Sequence, residues 1–442
     1  MKNEFLQMMN KLLAQEYDSY IQTLSQPVYR GFRVNTKKVN SEDFFKWFNI
    51  PCHASPFAKN AYILDSEDTY GNSLAHALGF MYMQEPSAAS AVEVLNPEEN
   101  DWVLDLCAAP GGKSSQIVER LNSSGLLISN EIEAKRAQIL VSNFERLGIS
   151  NAIITNSTPD KICKTLEGCM DKVLVDAPCS GEGMFKKESQ ALVDWSPQHV
   201  KSCAIRQRQI LDFAYLALKE NGILVYSTCT YSSEENEETI IEFIKKHPDM
   251  ELMKIDVSWG RMGLSLDSQI DTTSCRRIFP MDDGEGHFIA KLRKKGPAVS
   301  KRLQVMTSKK IPDAVYQFIN HEGIDTNINL YMNNNRIYAG KHPFYDLKDN
   351  YVLRNQVLIG EVNNERFEPH HHLYTSTLFT SAIKNEIICT EEEVESFRKG
   401  NTICKEYQKG YVGIKIHDNF IGFGKSDGSI IKNKLPKGLR IR

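Results

Sequence analysis

The sequence predicts an α/β fold: a mostly parallel sheet covered by helices on both faces, with a small α+β module before it and a β-rich module after it. Short, nearly continuous apolar runs recur between residues 81 and 295, each followed by a segment of helical spacing. That alternation is expected of strands buried on both faces of a parallel sheet. Composition agrees, since 41% hydrophobic and 25% charged residues in a chain of 442 excludes a disordered or fibrous protein. Length alone suggests about three domains.

Residues 3–24 place Phe5, Met8, Met9, Leu12, Leu13, Tyr17, Tyr20 and Leu24 at helical spacing and predict one amphipathic helix. Past Pro27, RGFRVNTKKVNSEDFFKWF reads as a short basic strand and a helix starting near Ser41. Residues 1–80 are thus an N-terminal α+β module, sized to position a substrate. From Met81 the alternation begins. WVLDLC, GLLISNEI, NAIITN, KVLVDAP and GILVYSTCT read as strands. GGKSSQIVERL, EAKRAQILVSNFERLG, a segment over about 199–219, and SEENEETIIEFIKKH read as helices. CRRIFP and GHFIAKLRK flank a Gly/Asp-rich turn and predict an antiparallel hairpin at the sheet edge. The central domain spans 81–295, a basic linker 296–312, and an intermediate domain 313–374. Glycines 410, 413, 422, 424, 428 and 438 then predict tight turns in a β-rich module over 375–442.

Other classes fall away. The N-terminus has no signal-peptide core, and no apolar run approaches the ~18–20 residues of a membrane helix. The ten cysteines form no CxxC pair, which argues against a zinc ribbon and for reduced, cytoplasmic thiols. His370-His371-His372 has no accompanying acid or cysteine cluster and reads as a surface loop, so no metal site is expected. Net charge is −3, which by itself does not mark a nucleic-acid binder. However, residues 405–442 carry nine Lys/Arg against three acids, a local +6 that leaves −9 elsewhere. Tyr407, Tyr411, Phe420 and Phe423 interleave with those bases, a pattern suited to stacking and phosphate contact. Arg30, Arg33, Lys37 and Lys38 form a smaller basic patch.

The turn DLCAAPGGK, Asp105 to Lys113, joins the first strand of the sheet to its helix. Gly111 and Gly112 would let the backbone approach a ligand, and the helix start would direct free N–H groups at it. The spacing is neither G-x-G-x-x-G nor a Walker loop. Glu131 closes the second strand, where an acid can accept hydrogen bonds from ribose hydroxyls. Asn156 ends the third strand and Asp176 the fourth. All four strand ends lie on the edge where open α/β sheets bind ligands.

Cys179 follows the fourth strand in DAPCSGEGMF, and Cys229 ends the fifth in STCTYSSEENE. Both precede predicted helix starts, which favour thiolates; Ser232, Ser233 and Glu235 resemble a capping box. Two thiols at neighbouring strand ends suit attack on an electron-poor pyrimidine. Addition at carbon 6 of cytosine makes carbon 5 nucleophilic toward a sulfonium methyl, and a second thiol can assist the elimination that follows. An acid at the N3 and amino edge, such as Asp176, would stabilise the adduct. The base must be unpaired or flipped out. The residues alone leave open which thiol attacks.

FMYMQEPSA, LDLCAAPGGK, DAPCSGEGMF, YSTCTYSSEENE and GEGHFIAKL resemble the successive motifs of the NOL/NOP/Sun family of RNA 5-methylcytosine methyltransferases over about residues 25–295. GFGKSDGSIIKNKLPKGLR resembles the PUA-like RNA-binding module that ends such proteins. The resemblance implies a Rossmann-like class I methyltransferase sheet and S-adenosyl-L-methionine as cofactor. It implies cofactor contacts from Cys107, Ala108, Ala109, Pro110, Gly111, Gly112, Lys113, Glu131 and Asp176. The third-strand loop reads TNSTP where many relatives carry an Asp, leaving Asn156 and Thr158 as the adenine contacts to test. The resemblance also assigns Cys229 as nucleophile and Cys179 to product release. His287 either lines the cleft or is structural. The expected partner is RNA, 16S ribosomal RNA or the small ribosomal subunit, bound by a monomer with no DNA or membrane partner. A transfer-RNA or 23S target is the alternative within the enzyme class. A non-catalytic RNA-binding assembly factor is the alternative outside it, and the intact motifs argue against that.

Overall fold

The computed structural model describes residues 1–122, 124–297, 301–324 and 327–441. Linker positions 298–300 and Arg442 of the basic tail lie outside the described residues. The N-terminal module is a four-stranded antiparallel sheet of β1 (Gly31–Val34), β2 (Cys52–Ala54), β3 (Ala61–Leu64) and β4 (Met81–Met83), in the order β2-β3-β1-β4. Because β4 pairs with β1 through Phe32 and Met83, the module runs past residue 80. The amphipathic segment before it is two helices, Asn3–Leu13 and Tyr17–Thr23, not one. A left-handed Ala14, at φ 47°, breaks the helix. Phe5, Met9 and Tyr20 then pack together with Phe185, Trp195, Tyr231 and Phe279, over the loops that carry the cysteines.

The central sheet contains β5 (Trp102–Asp105), β6 (Leu126–Asn130), β7 (Ala152–Asn156), β8 (Met170–Asp176) and β9 (Leu218–Thr228). Their order is β9-β8-β5-β6-β7, all parallel. Successive residues of each strand face opposite sides. Val103, Leu127, Ile154, Leu174 and Val225 enter one core, and Leu104, Ile128, Ile153, Val173 and Leu224 enter the other. This is why these strands read as unbroken apolar runs. Beyond β9 the sheet continues through antiparallel strands. β13 (His287–Lys294) pairs with β9 and also takes β10 (Met250–Met253) and β12 (Arg276–Ile278), with β11 (Arg261–Met262) outermost. The predicted hairpin is thus built into the sheet.

The segment 313–374 is divided. β14 (Asn329–Asn333), β15 (Arg336–Gly340), β17 (Val357–Asn363) and β18 (Arg366–Pro369) form a sheet of their own, while β16 (Tyr351–Asn355) pairs antiparallel with β7. The last sheet comprises β19 (Glu386–Ile388), β20 (Gly410–Ile416), β21 (Asn419–Ser426) and β22 (Ile431–Asn433). Phe32, Phe44 and Phe80 of the first module share a core with Val394, Phe397, Val412 and Ile421 of the last. The two ends of the chain therefore close on each other beside the central sheet.

Three basic or histidine-rich features differ from their sequence readings. His370–His372 is not a surface loop: His371 and His372 are buried in a short helix, and the His372 ring bonds the Ile149 carbonyl oxygen at 3.0 Å. In the basic tail, Phe420 and Phe423 are core residues, Phe423 stacking on Tyr374 at 4.7 Å, so neither is free to stack on a base. Lys405, Lys415 and Lys432 are paired with Glu393, Glu386 and Asp427. The Arg33–Lys38 patch is turned inward only in part: Arg33 is buried, Lys38 half-buried and Lys37 exposed. Arg33, 1% exposed, pairs with Glu119 at 2.6 Å and donates to the Gly112 carbonyl at 2.8 Å. Lys37 and Lys38 donate to the carbonyls of Leu121 and Leu78. These cations fasten the first module to the central domain.

Candidate active site

The loop after β5 is held from within. Ser114 donates to buried Asp105 at 2.6 Å; burial, only partly offset by that bond, pushes the Asp105 carboxyl up to about 7. Gly111 adopts φ +112°, a conformation that favours glycine. A Cβ on Gly111 would meet Leu140 Cδ1 at 2.9 Å, and one on Gly112 would meet the Tyr82 ring at 2.9 Å. Packing against neighbouring elements therefore leaves little room for a side chain at either position.

Where β6 ends, Glu131 is 2% exposed. Its Oε1 accepts from the Glu133 amide at 2.9 Å, while Oε2 has no hydrogen-bond partner and lies 3.4 Å from Arg136 Nη1. A buried carboxylate oxygen without a donor is costly, so this oxygen is suited to receive ligand hydroxyls. Asn156 does not face the cavity. Its amide donates to the carbonyls of Glu131 and Ile132 at 2.7 and 2.9 Å, latching two strand ends together. Thr158 does line the cavity.

The two cysteines meet, with Sγ atoms 3.2 Å apart. Two buried carboxylates hold their loops. Glu182 accepts from Trp195 Nε1, Thr230 Oγ1, and the Tyr231 and Ser232 amides at 2.7–2.9 Å, and also from the Ser232 hydroxyl. Glu235 accepts from the Ser180 amide at 3.0 Å and Gln207 Nε2 at 2.6 Å. Ser180 and Thr230, the residues following the two cysteines, join through their hydroxyls at 2.8 Å. The expected capping box is absent: Glu235 reaches across to the other cysteine loop, and Asn236 at the helix start makes no side-chain cap. Nor is Cys179 set up as a ready thiolate. Its hydrogen bond with Cys229, together with burial, raises its pKa well above the usual thiol range; a 3_10 turn, not an α-helix, follows it.

Asp176 lies between the cysteines and the loop after β5. It accepts from Lys113 Nζ and Ser227 Oγ, each at 2.7 Å. Burial opposes its ionisation, but the Lys113 ammonium and its hydrogen bond hold the carboxyl below the usual range. Lys113 is raised in turn: burial works against it, and Asp176 and then Cys229 outweigh that. His287 is 3% exposed, with Nε2 3.9 Å from Asp176; burial and then Lys113 push its pKa down to about 3, so it is neutral.

These groups open on one cavity of about 900 Å³. Cys107, Ala109, Glu131 and Thr158 line it from the cofactor side, and Asp176, Cys179 and Cys229 from the other. Ala108, Pro110, Gly111, Gly112, Lys113 and Asn156 stand behind the lining. The wall opposite comes from helix Pro197–Ala217 through His199, Arg206, Gln209 and Phe213. No motif in that helix marks those positions. The donor set fits a nucleoside-bearing cofactor. Glu131 offers a free acceptor, and Cys107 and Ala109 an apolar floor.

Comparison with known proteins agrees with this geometry. Residues 92–293 match the family model described as 16S rRNA methyltransferase RsmB/F. Residues 1–86 match that of the N-terminal domain of 16S rRNA methyltransferase RsmF, and 384–441 that of the methyltransferase RsmF PUA domain. The chain is 30% identical to ribosomal RNA small subunit methyltransferase F of Vibrio parahaemolyticus, over 96% of this chain and 93% of that one. It is 31% identical to the protein of the same name from Psychromonas ingrahamii, over the same shares. Among solved structures, a methyltransferase homolog from Pyrococcus horikoshii superposes with TM-score 0.59 at 28% identity, covering 66% of this chain and 95% of that one. NSun6 from Pyrococcus horikoshii, solved with SFG, superposes with TM-score 0.58 at 22% identity, covering 67% and 99%, a likeness of fold.

Proposed function

This chain belongs to the RsmB/F family of RNA methyltransferases, and we propose that it methylates carbon 5 of cytosine in 16S ribosomal RNA through a covalent adduct on Cys229. The observation that carries the reading is the pair of thiols, 3.2 Å apart, lining one cavity with Asp176, which Lys113 pairs from behind. S-adenosylmethionine supplies the electrophilic methyl group. Glu131 would accept from its ribose hydroxyls, and Cys107, Ala109 and Thr158, which line the same cavity, would contact the rest of the nucleoside.

Cys229 adds as a thiolate to carbon 6, and the neighbouring Lys113 ammonium offsets its charge. The ring electrons pass to carbon 5, which takes the methyl group. Asp176, already ionised, faces the base edge and accepts from its amino group. A solvent water takes the carbon-5 proton, the C–H electrons restore the carbon 5–carbon 6 double bond, and the carbon 6–sulfur bond breaks with its electrons returning to Cys229 as the thiolate. Cys179 is protonated in the resting pair. It serves this last stage, assisting departure of the Cys229 sulfur.

Incubating the protein with labelled methyl donor and either 16S RNA or small subunits is expected to label cytosine, and Cys229→Ala to abolish labelling. Cys179→Ala is expected to accumulate a denaturation-resistant protein–RNA adduct. Full activity of Cys229→Ala would overturn the assignment of the nucleophile. Bisulfite sequencing of RNA from a strain lacking the gene identifies the substrate; an unmethylated site in transfer RNA or 23S RNA would replace the 16S assignment.

A further inference from the structure

A second cavity, of about 660 Å³, opens where the three parts of the chain converge. Asn72 and His76 line it from the N-terminal module, Arg146 from helix Ala134–Leu147, and Arg398 and Arg440 from the C-terminal module. Among the described residues no Asp or Glu side chain lines it. Arg146 is 7% exposed, yet among the described residues it bonds only the carbonyls of His76 and Met81 and the Asn143 amide oxygen. Among the described residues Arg440, half-exposed, bonds only the Leu435 carbonyl. Arg398 is paired with Glu395 and donates to the Asn72 carbonyl, and only its Nε is buried without a partner, so the uncompensated charge here is that of Arg146 and Arg440. Burial draws the Arg146 pKa down to about 10. The Arg33–Glu119 pair shows how this protein neutralises a buried guanidinium when the role is structural. Buried guanidinium groups without a counter-ion are costly, and their planar forks match phosphate oxygens.

The cavity also lies on the same helix as the cleft. Arg136, in the first turns of Ala134–Leu147, lines the catalytic cavity, and Ser142, Asn143 and Arg146 line this one. At 1.5 Å per residue, about 15 Å separates Arg136 from Arg146 along the axis. Lys135, Arg136, Gln138 and Ile139 are exposed on this helix. A single strand can therefore follow one helix from cavity to cleft.

We propose that this inter-module cavity is a second RNA site, taking a backbone phosphate of the strand whose cytosine enters the catalytic cleft. The inference rests on the RNA-methylation reading and adds to it a place where the strand is held. It assigns the cationic surface that matters to the junction of three modules rather than to the basic tail alone.

The test uses full-length protein and an RNA fragment bearing the methylated site, with affinity measured against salt. Arg440→Gln removes one cation, and Ser142→Glu adds an anion at an exposed lip position. For a single-stranded contact the slope of log affinity against log salt is expected to shrink by about 0.7 in Arg440→Gln. Affinity should fall at least about fivefold in each variant, and Arg440→Lys should restore the salt slope but only part of the affinity. Wild-type slope and affinity in both Arg440→Gln and Ser142→Glu would overturn the inference, and either variant alone suffices if the other fails to fold. Inorganic phosphate should compete with the RNA in wild type and less in Arg440→Gln; phosphate bound here alongside RNA, without competition, would make this a small-anion site and overturn the proposal. Wild-type protein that binds RNA through this cavity but methylates no RNA would sink the reaction reading while supporting the cavity.

Discussion

Replacing Glu235 by glutamine probes the balance of burial and hydrogen bonding beneath the two cysteines. The side chain is fully buried, and burial pushes its carboxyl from 4.5 up to about 7, against the lowering effect of the Ser180 and Gln207 bonds. A carboxyl whose folded pKa exceeds its unfolded value binds its proton more tightly in the native state. Its contribution to stability is fully present below about 4.5 and is lost as pH rises through 7. At roughly 1.4 kcal/mol per pH unit, that interval corresponds to about 3 kcal/mol. Glutamine should escape this loss without losing a bond. Ser180 N and Gln207 Nε2 both donate to Oε2, the place an amide oxygen can occupy. The amide nitrogen then takes the place of Oε1, 3.5 Å from Thr230 Oγ1, which can accept from it. Glu235→Gln is therefore expected to match wild type near pH 4.5 and to exceed it by up to about 3 kcal/mol at pH 8. Urea unfolding followed by tryptophan fluorescence at several pH values measures the difference. A variant less stable than wild type at pH 8, or a difference independent of pH, would refute the reasoning.

Three further substitutions test neighbouring parts of the site. Asp176→Asn removes the charge that Lys113 and Ser227 address and should lower kcat about 100-fold or more; labelled-methyl turnover within threefold of wild type would contradict this. Glu131→Gln replaces the charged acceptor and should weaken binding of S-adenosylhomocysteine about 10- to 100-fold by calorimetry, whereas unchanged affinity would remove Glu131 from the cofactor site. Gly111→Ala forces a side chain onto φ +112° and into Leu140, so the urea midpoint should fall by the equivalent of about 1–3 kcal/mol; an unchanged midpoint would show that the loop repacks freely.

The central sheet was legible because each strand is short and apolar on both faces, and because glycine and proline punctuate its edge. Cys179 and Cys229 could be paired from strand order alone, since β8 and β9 are adjacent and parallel. Glu182 and Glu235 were not legible. Each lies close in sequence to one cysteine, yet Glu182 serves the Cys229 loop and Glu235 the Ser180 side of the other, a crossing that only the fold reveals. Asn156 was misplaced for a similar reason. It ends its strand at the binding edge, but its amide turns sideways to bond the neighbouring strand's carbonyls. Strand β16 could not be assigned to the central sheet either, because antiparallel addition at an edge leaves no mark on sequence order.

Charge is where local reading failed most, and the failure has a physical cause. A cluster of Lys and Arg along the chain does not reveal which members find carboxylates or carbonyls in the fold. Arg33, Lys37 and Lys38 looked like a surface patch and are fasteners, their charge met by Glu119 and by backbone oxygens. Lys405 and Lys415, counted toward a basic tail, are paired with acids of the same module. At the junction of the modules, Arg146 and Arg440 have no carboxylate partner among the described residues; they lie about 300 residues apart and form no run in the sequence. An anion-binding surface is defined by what remains after internal pairing. In this chain part of that remainder, Arg146 and Arg440, lies where the three modules meet, on and beside the helix that leads to the paired thiols.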